Sequence, residues 1–341
     1  MKTKGRGQNA VGGKRTARQG RFPSSLKNAR VLVVGDAMLD RYWFGDVERI
    51  SPEAPVPIVR IGREEERAGG AANVARNAAA LGAQVSLLSV VGADEPGARL
   101  EALLKRERVN ARLHRDRSIR TTVKLRVIGG RNQQLLRVDF ETAPSHEVLA
   151  SKLRDFEQML GNADVVILSD YGKGGLTHIV KMIGLARRAG KTVLVDPKGE
   201  DYSRYRGATL ITPNRSEFRQ VAGPWKDERE FTERAQQLRR KLDAKALLVT
   251  RGSEGMTLFE DGGRFHVATQ AREVSDVSGA GDTVIATLAV ALAGGARMRQ
   301  AVQLANRAAG IVVGKFGTAV VTPEELFGKA EVESRKSKVE S

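Results

Sequence analysis

The sequence of 341 residues contains no cysteine. Disulfides, thiolate-bound metals and a cysteine nucleophile are thereby excluded, and a reducing intracellular compartment fits. Histidine is scarce as well. His114, His146, His178 and His266 stand far apart in the chain, and none has the spacing of a metal site. Aromatic residues make up 5% of the chain and are not interleaved with basic clusters, so a stacking surface for nucleic acid is not indicated. The longest apolar run, Val284 to Ala293, is about half of what a bilayer crossing requires and is closed by Gly294-Gly295. Together these absences predict a soluble cytoplasmic protein with neither a nucleic acid nor a membrane as partner.

What the chain has in excess is positive charge, formally +17, and where that charge lies matters more than its total. Residues 1–28 hold eight basic residues and no acidic one, among Gly and Gln and without apolar periodicity. They predict a disordered basic tail. The tail lacks the apolar stretch of a secretory signal and the amphipathic stripe of a transit peptide. Two roles stay open for it: a solvated extension, or the handle of a non-catalytic nucleotide- or RNA-binding protein. The rest of the net charge is spread thinly over the remaining chain.

Hydrophobic residues make up 41% of the sequence, enough for one large α/β domain or two smaller ones, with about three quarters of the surface buried on folding. Arg30 to Gly35, Val85 to Val91, Asp164 to Leu168, Thr192 to Val195 and Ala246 to Thr250 are nearly continuous apolar runs, as strands covered on both faces are. Gly70 to Leu81, Gly97 to Glu107, Glu147 to Leu160 and Leu176 to Ala189 carry a helical period, and Gly82 and Gly190 stand where C-terminal caps belong. This succession specifies a central, mostly parallel sheet flanked by helices, with ligands at the carboxyl ends of the strands.

Two segments break the pattern. Val123, Leu125 and Val127 alternate with Thr122, Lys124 and Arg126, while Leu136, Val138 and Phe140 alternate with Arg137 and Asp139. With Val56 to Ile61 they predict a small β-sheet lid, drawn from about residues 41–67 and 118–141, that folds over substrate and packs against a second subunit. An antiparallel extension of the main sheet is the other arrangement that the periodicity allows. No repeat or linker interrupts residues 30–327. One domain over 29–328 is expected, followed by a charged tail over 329–341.

The stretch Asp276-Val-Ser-Gly-Ala-Gly-Asp-Thr283 places a glycine-lined turn and a carboxylate at the start of an apolar helix. Gly279 and Gly281 let the backbone approach an anion, so the N–H groups of Ser278, Gly279, Ala280 and Gly281 are expected to face a terminal phosphate. The helix dipole adds about half a positive charge there. Asp282 would take the proton of an attacking hydroxyl, and the combination suits phosphoryl transfer. A glycine-rich helix entry with Asp282 as a cap is the plainer alternative.

On the acceptor side, Gly35-Asp36-Ala-Met-Leu-Asp40 puts two carboxylates at the mouth of the first strand, where they can accept hydrogen bonds from a polyol. Gly69-Gly70-Ala-Ala-Asn73 opens an alanine-rich helix with close backbone approach and one amide. Asp36 equally suits a turn, and Asn73 a helix start. On the nucleotide side, Thr212-Pro-Asn214-Arg215-Ser216-Glu217 and Thr250-Arg251-Gly252-Ser-Glu-Gly255 each follow a strand. Asn214 and Glu217 are spaced to organise a metal and its waters beside a triphosphate, or to form an ordinary capping pair.

These motifs resemble the signatures of the ribokinase-like (PfkB) carbohydrate kinases: Gly69 to Asn73 the first, Asp276 to Thr283 the second, with Asn214 to Glu217 similar to their Asn-x-x-Glu motif. The resemblance runs over about residues 28–327. Asp40-Arg-Tyr-Trp43, Arg49-Ile-Ser-Pro-Glu-Ala-Pro-Val-Pro57, Ser169-Asp-Tyr-Gly-Lys-Gly174 and Asp196-Pro-Lys-Gly199 are similar to the branch of that family acting on heptose 7-phosphate in lipopolysaccharide core synthesis. What the resemblance implies is a ribokinase-like fold, ATP as donor, Mg2+ and a homodimer through the lid. It implies D-glycero-β-D-manno-heptose 7-phosphate as acceptor at its anomeric hydroxyl, with another sugar phosphate left open.

By the same resemblance, Asp282 would be the base and Ser278, Gly279, Ala280 and Gly281 the anion hole. Asn214, Arg215, Ser216, Glu217, Thr250, Arg251, Gly252, Gly255 and Asn306 would contact nucleotide, with Asn214 and Glu217 reaching the metal through water. Asp36, Asp40, Gly69, Gly70 and Asn73 would contact sugar. Ser278 stands where many relatives carry threonine or another residue, which leaves the backbone chemistry intact. An acceptor that already carries a phosphate needs fixed positive charge, for which Lys124, Arg137, Lys173 and Lys198 are candidates. Only about a dozen residues follow Phe327, so the adenylyltransferase fused to this kinase in many bacteria is expected to be separate.

Two rival nucleotide folds lack their motifs. The first strand is followed by Gly35-Asp-Ala-Met-Leu-Asp40, with a single glycine where a dinucleotide fold needs G-x-G-x-x-G. Gly184 to Thr192 misses the P-loop spacing by one residue and leads into a strand instead of out of one.

Overall fold

The computed structural model describes residue 26 and residues 28–130, 133–271 and 274–328. Apart from Leu26 and Asn28, the expected tails over 1–28 and 329–341 lie outside the described residues. The chain opens with β1 (Arg30–Gly35), β2 (Ala37–Ile50), β3 (Pro57–Gly70) and α1 (Ala71–Ala80). There follow β4 (Gln84–Gly92), α2 (Glu95–Arg106), β5 (Asn110–Asp116), β6 (Val123–Gly129) and β7 (Gln133–Phe140). The next elements are α3 (His146–Met159), β8 (Val165–Ser169), α4 (Ile179–Arg188), β9 (Thr192–Asp196), β10 (Leu210–Ile211), α5 (Arg215–Ala222) and α6 (Glu228–Lys241). The described chain closes with β11 (Ala246–Thr250), β12 (Met256–Glu260), β13 (Gly263–Val267), α7 (Ala280–Ala293), α8 (Met298–Val312) and α9 (Pro323–Phe327).

Nine strands form one sheet in the order β13-β12-β11-β10-β9-β8-β1-β4-β5. Only the β11–β12 and β12–β13 pairs are antiparallel; the others run parallel. Apolar side chains leave it on both faces with period two: Val31 and Val33 join one core with Leu87 and Ile167, Leu32 and Val34 the other with Leu88 and Leu168. This is why the strands read as unbroken apolar runs. Helix α7 is buried from Asp282 through Ala291, so it is apolar all round and carries no amphipathic stripe.

Strands β2, β3, β6 and β7 make a separate four-stranded sheet in the order β3-β2-β6-β7. The alternating segments near residues 123 and 136 are therefore not an extension of the main sheet. What the periodicity did not reveal is the fourteen-residue β2, separated from β1 by the single residue Asp36. Asp40 thus lies within β2, in register with Arg67 and Lys124, and not in a loop at the mouth of β1. The chain leaves the main domain at Asp36 and returns at Gly70, where the Ala71 N–H donates to the Asp36 carbonyl at 3.0 Å. A Cβ on Gly70, whose φ is +57°, would lie 2.4 Å from that carbonyl oxygen, so glycine is required at this hinge.

Candidate active site

The carboxyl ends of β8, β9 and β11 and the N-terminus of α7 enclose a cleft of about 220 Å3, lined by Tyr171, Asp196, Lys198, Asn214, Glu217, Thr250, Gly279, Gly281 and Asp282 among others. Asp282 lies in the first turn of α7 and is 5% exposed. Its Oδ1 accepts a hydrogen bond from the Tyr171 hydroxyl at 2.5 Å and its Oδ2 one from Asn73 Nδ2 at 2.7 Å. Burial pushes the Asp282 pKa up to about 6; the two hydrogen bonds and Lys124 oppose the rise, and the charge of Asp40 adds to it. The group therefore holds a proton better than an exposed aspartate does, a property that suits proton transfer. Tyr171 keeps its proton, because burial and the neighbouring carboxylates raise its pKa well above 10.

Gly279 caps α7 with φ +76°, and a Cβ there would come within 2.8 Å of Asn73 Nδ2. Of the four amides expected to form the anion hole, two are already committed. The Ser278 N–H donates to Asp276 Oδ1 at 2.8 Å and the Ala280 N–H to the Val277 carbonyl at 3.2 Å. Among the described residues, the N–H groups of Gly279 and Gly281 have no partner, and both glycines line the cleft. Asp276 explains the difference: it pins the turn from both sides, its Oδ2 accepting from the Gly317 N–H at 2.9 Å.

On the acceptor side the structure corrects Asp36. Its buried carboxylate accepts the N–H groups of Tyr171 and Lys173 at 3.0 Å and of Gly175 at 2.9 Å, leaving it to hold a loop, not a sugar. Lys152 completes that clamp, donating from Nζ to the Gly175 carbonyl at 2.7 Å. It is fully buried; burial pulls its pKa down to about 8, against the charges of Asp36 and Asp170. Asp40 is buried and accepts from Arg126 at 2.8 Å. Gly69 leaves it room, since a Cβ there would lie 2.5 Å from Asp40 Oδ2.

The four candidate cations divide by partner. Lys124 is half-buried with Nζ 5.8 Å from the centre of the Tyr171 ring, and it has no ion-pair partner among the described residues. Burial lowers its pKa, while Asp40 and Asp139 hold it up. Lys173 is paired with Glu141, Lys198 with Glu217 at 3.2 Å, and Arg137 with Asp139 at 2.9 Å. Only Lys124 is therefore brought to Asp282 with its charge uncommitted.

On the nucleotide side, Asn214 and Glu217 form a reciprocal capping box at the start of α5, with N–H to side-chain distances of 2.9 and 3.0 Å. Glu217 Oε1 remains for Lys198. Thr250 joins the same wall, its N–H donating to the Pro213 carbonyl at 3.0 Å. Ser216 is exposed in the first turn of α5, and Gly252 and Gly255 adopt positive φ in the loop after β11. Of the two arginines expected on nucleotide, Arg215 is exposed and pairs with Glu254, while Arg251 is held by Glu228 and Glu254 over the Phe231 ring. The Arg251 side chain is largely buried, and a guanidinium out of water needs the carboxylates within reach. Asn306 is also turned elsewhere, donating from Nδ2 to the Ala268 carbonyl at 2.8 Å.

Sequence reasoning missed Tyr171 and Asp196 as site residues. Asp196, at the carboxyl end of β9, has its pKa pushed well up by burial and by the charges of Asp282 and Glu217. Its place at a strand end and the family-like string Asp196 to Gly199 were the available signals, as Ser169 to Gly174 was for Tyr171. Carboxylates crowded on one cleft fit a divalent cation, yet no group of three or more His, Asp or Glu among the described residues is gathered tightly enough to cage one. Asp196, Glu217 and Asn214 accordingly suit a cation that keeps several of its waters.

The model of the pfkB family carbohydrate kinases matches residues 28–325. The D-beta-D-heptose 7-phosphate kinase of Bordetella bronchiseptica is 58% identical over 305 residues, covering 89% of this chain and 97% of that protein. The bifunctional protein HldE of Methylococcus capsulatus is 54% identical over 299 residues, or 87% of this chain, which spans only 63% of the HldE length. Among solved structures, phosphofructokinase-2 from Escherichia coli superposes with a TM-score of 0.73 at 21% identity, covering 91% of this chain and 99% of that one. The ribokinase of Arabidopsis thaliana, complexed with ribose and ATP, gives a TM-score of 0.69 at 22% identity over 88% of this chain and 97% of that one.

Proposed function

The chain belongs to the pfkB family of carbohydrate kinases, and from that premise we propose that it transfers the γ-phosphoryl group of ATP to the anomeric hydroxyl of D-glycero-β-D-manno-heptose 7-phosphate. The observation that carries this reading is the position of Asp282, a buried carboxylate beside the open amides of Gly279 and Gly281, between acceptor-side Asn73 and nucleotide-side Thr250. Asp282 accepts the proton of the attacking hydroxyl. The two glycine amides and the dipole of α7 stabilise charge on the phosphoryl oxygens in the transition state. Lys124 adds positive charge on the acceptor side, and Asp40, held by Arg126, accepts hydrogen bonds from sugar hydroxyls.

Mg2+ fits the carboxylates of the cleft: Asp196 and Glu217, with Asn214, would hold it through water. When bound it neutralises charge on the β- and γ-phosphates. ATP and a sugar phosphate as substrates support a cytoplasmic reaction. No helix among the described residues is long and apolar enough to cross a membrane. The four-stranded sheet exposes Ile50, Leu136 and Phe140, with Val56 exposed in the turn between β2 and β3, and this apolar surface is where a second copy would pack.

Release of ADP across a panel of acceptors tests the assignment. Heptose 7-phosphate is expected to give the highest kcat/KM, ahead of fructose 6-phosphate, ribose and adenosine. A preference for unphosphorylated sugars would overturn the acceptor while leaving the family intact.

A further inference from the structure

Behind Asp282 a line of buried polar side chains joins α7 to α1. The Thr283 hydroxyl donates to Asn77 Oδ1 at 2.9 Å; Asn77 Nδ2 donates to the Asn73 carbonyl at 2.9 Å and to Asn73 Oδ1 at 3.2 Å; Asn73 Nδ2 donates to Asp282 Oδ2 at 2.7 Å. Thr283, Asn77 and Asn73 are each 0% exposed, so water does not replace a lost partner.

Each link has a direction. A threonine hydroxyl has one proton to give, and giving it to Asn77 Oδ1 leaves the Asn77 amide with its NH2 towards Asn73. Facing that NH2, Asn73 must present its oxygen inwards and its own NH2 to the carboxylate. Turned the other way, it would set an oxygen against Asp282 and one NH2 against another, and neither conflict is relieved in a dry interior. The Thr283 hydroxyl also lies 3.2 Å from the carbonyl of Gly279, the N-cap of α7, so the same group touches the phosphate-facing turn.

We propose that Asn77, oriented by Thr283, is a positioning residue for phosphoryl transfer: through the Asn73 amide it fixes the orientation in which Asp282 meets the acceptor hydroxyl. The acceptor helix α1 and the phosphate helix α7 each carry two members of the line, so it also holds the two halves of the site in register. The inference rests on Asp282 being the base, and its test is arranged so that the two can fail separately.

Asn77→Ala, Asn73→Ala, the double variant and Thr283→Val are compared with the parent protein. Asn77→Ala is expected to lower kcat about tenfold with the KM for ATP unchanged. Added to Asn73→Ala it should cost almost nothing further, because Asn77 acts only through that amide. Thr283→Val should lose a few-fold, and Thr283→Ser should recover most of that loss. The second readout is the titration of the Asp282 carboxyl by 13C NMR. Tyr171, Asp40, Lys124 and Asp196 face Asp282 in every variant, so a shift between variants isolates the amide. The midpoint should rise in Asn77→Ala by as much as in Asn73→Ala. Fully additive losses in the double variant, or an unmoved midpoint, would overturn the proposal. Should Asn77→Ala not fold, the near-isosteric Thr283→Val carries the same midpoint comparison. The NMR readout needs no turnover, so a parent protein inactive on every sugar phosphate would sink the proposed reaction alone.

Discussion

The Tyr171 hydroxyl donates to Oδ1 of Asp282 at 2.5 Å, while the Tyr171 backbone N–H is held by Asp36 at 3.0 Å. A carboxylate at the end of β1 thereby sets the position of Asp282 on α7, through one loop. Tyr171→Phe removes a donor that favours ionised Asp282 and keeps the ring. The acid limb of kcat/KM should move to higher pH, with kcat down about tenfold near neutrality. An unmoved limb would remove Tyr171 from this role.

Asp282→Asn keeps the shape but cannot take a proton. Turnover should fall by about two to four orders of magnitude while nucleotide affinity, read by calorimetry, stays close to the parent value. Near-normal turnover would exclude Asp282 as base.

The raised pKa of Asp282, about 6 against an ordinary 3.8, also has a sign for stability. A group that binds its proton more tightly when folded stabilises fully below its unfolded pKa, and that contribution is lost as pH rises through 6. Relative to Asp282→Asn, the parent protein should therefore lose up to about 3 kcal/mol between pH 4 and pH 7. Denaturant unfolding of both proteins at the two pH values measures the difference; parallel stabilities would refute it.

Gly279 and Gly281 should respond differently to alanine. Gly279→Ala imposes a side chain at φ +76° with its Cβ 2.8 Å from Asn73 Nδ2, and should cost about 1–3 kcal/mol as well as activity. Gly281 has no neighbour within 4 Å of an added Cβ, so Gly281→Ala should keep its Tm and, if phosphate binds there, weaken ATP use, since Gly281 lines the cleft. Equal losses of Tm in both variants would contradict this.

Leu136 and Ile50 are 55% and 62% exposed on the four-stranded sheet. Replacing them with Asp and Glu should convert a dimer to a monomer in light scattering, with the fold retained by circular dichroism. A parent protein already monomeric at micromolar concentration would rule out this interface.

Much of the architecture was legible because local chemistry declares it. Apolar runs such as Val31 to Val34 mark strands covered on both faces, and Gly279 marks a left-handed turn that only glycine adopts readily. Asp282 was legible for the same reason, as a carboxylate one step beyond such a turn. Partners were not legible. Whether Asp36 meets a sugar or three loop amides, whether Arg251 reaches a nucleotide or Glu228 and Glu254, and whether Asn306 serves the cleft or Ala268 depends on which groups converge in space. No spacing along the chain encodes that convergence.

The sequence by itself determined the alternation of strand and helix, the parallel core and the glycine turn that opens α7, because these follow from periodicity and from allowed backbone angles within a few residues. Only the tertiary structure decided that Tyr171 and Asn73, far from Asp282 in the chain, hold its two oxygens, and that of the four amides from Ser278 to Gly281 two are open and two are committed. Hydrogen bonds have direction and each donor is spent once, so their assignment waits until every competing group has been folded into place.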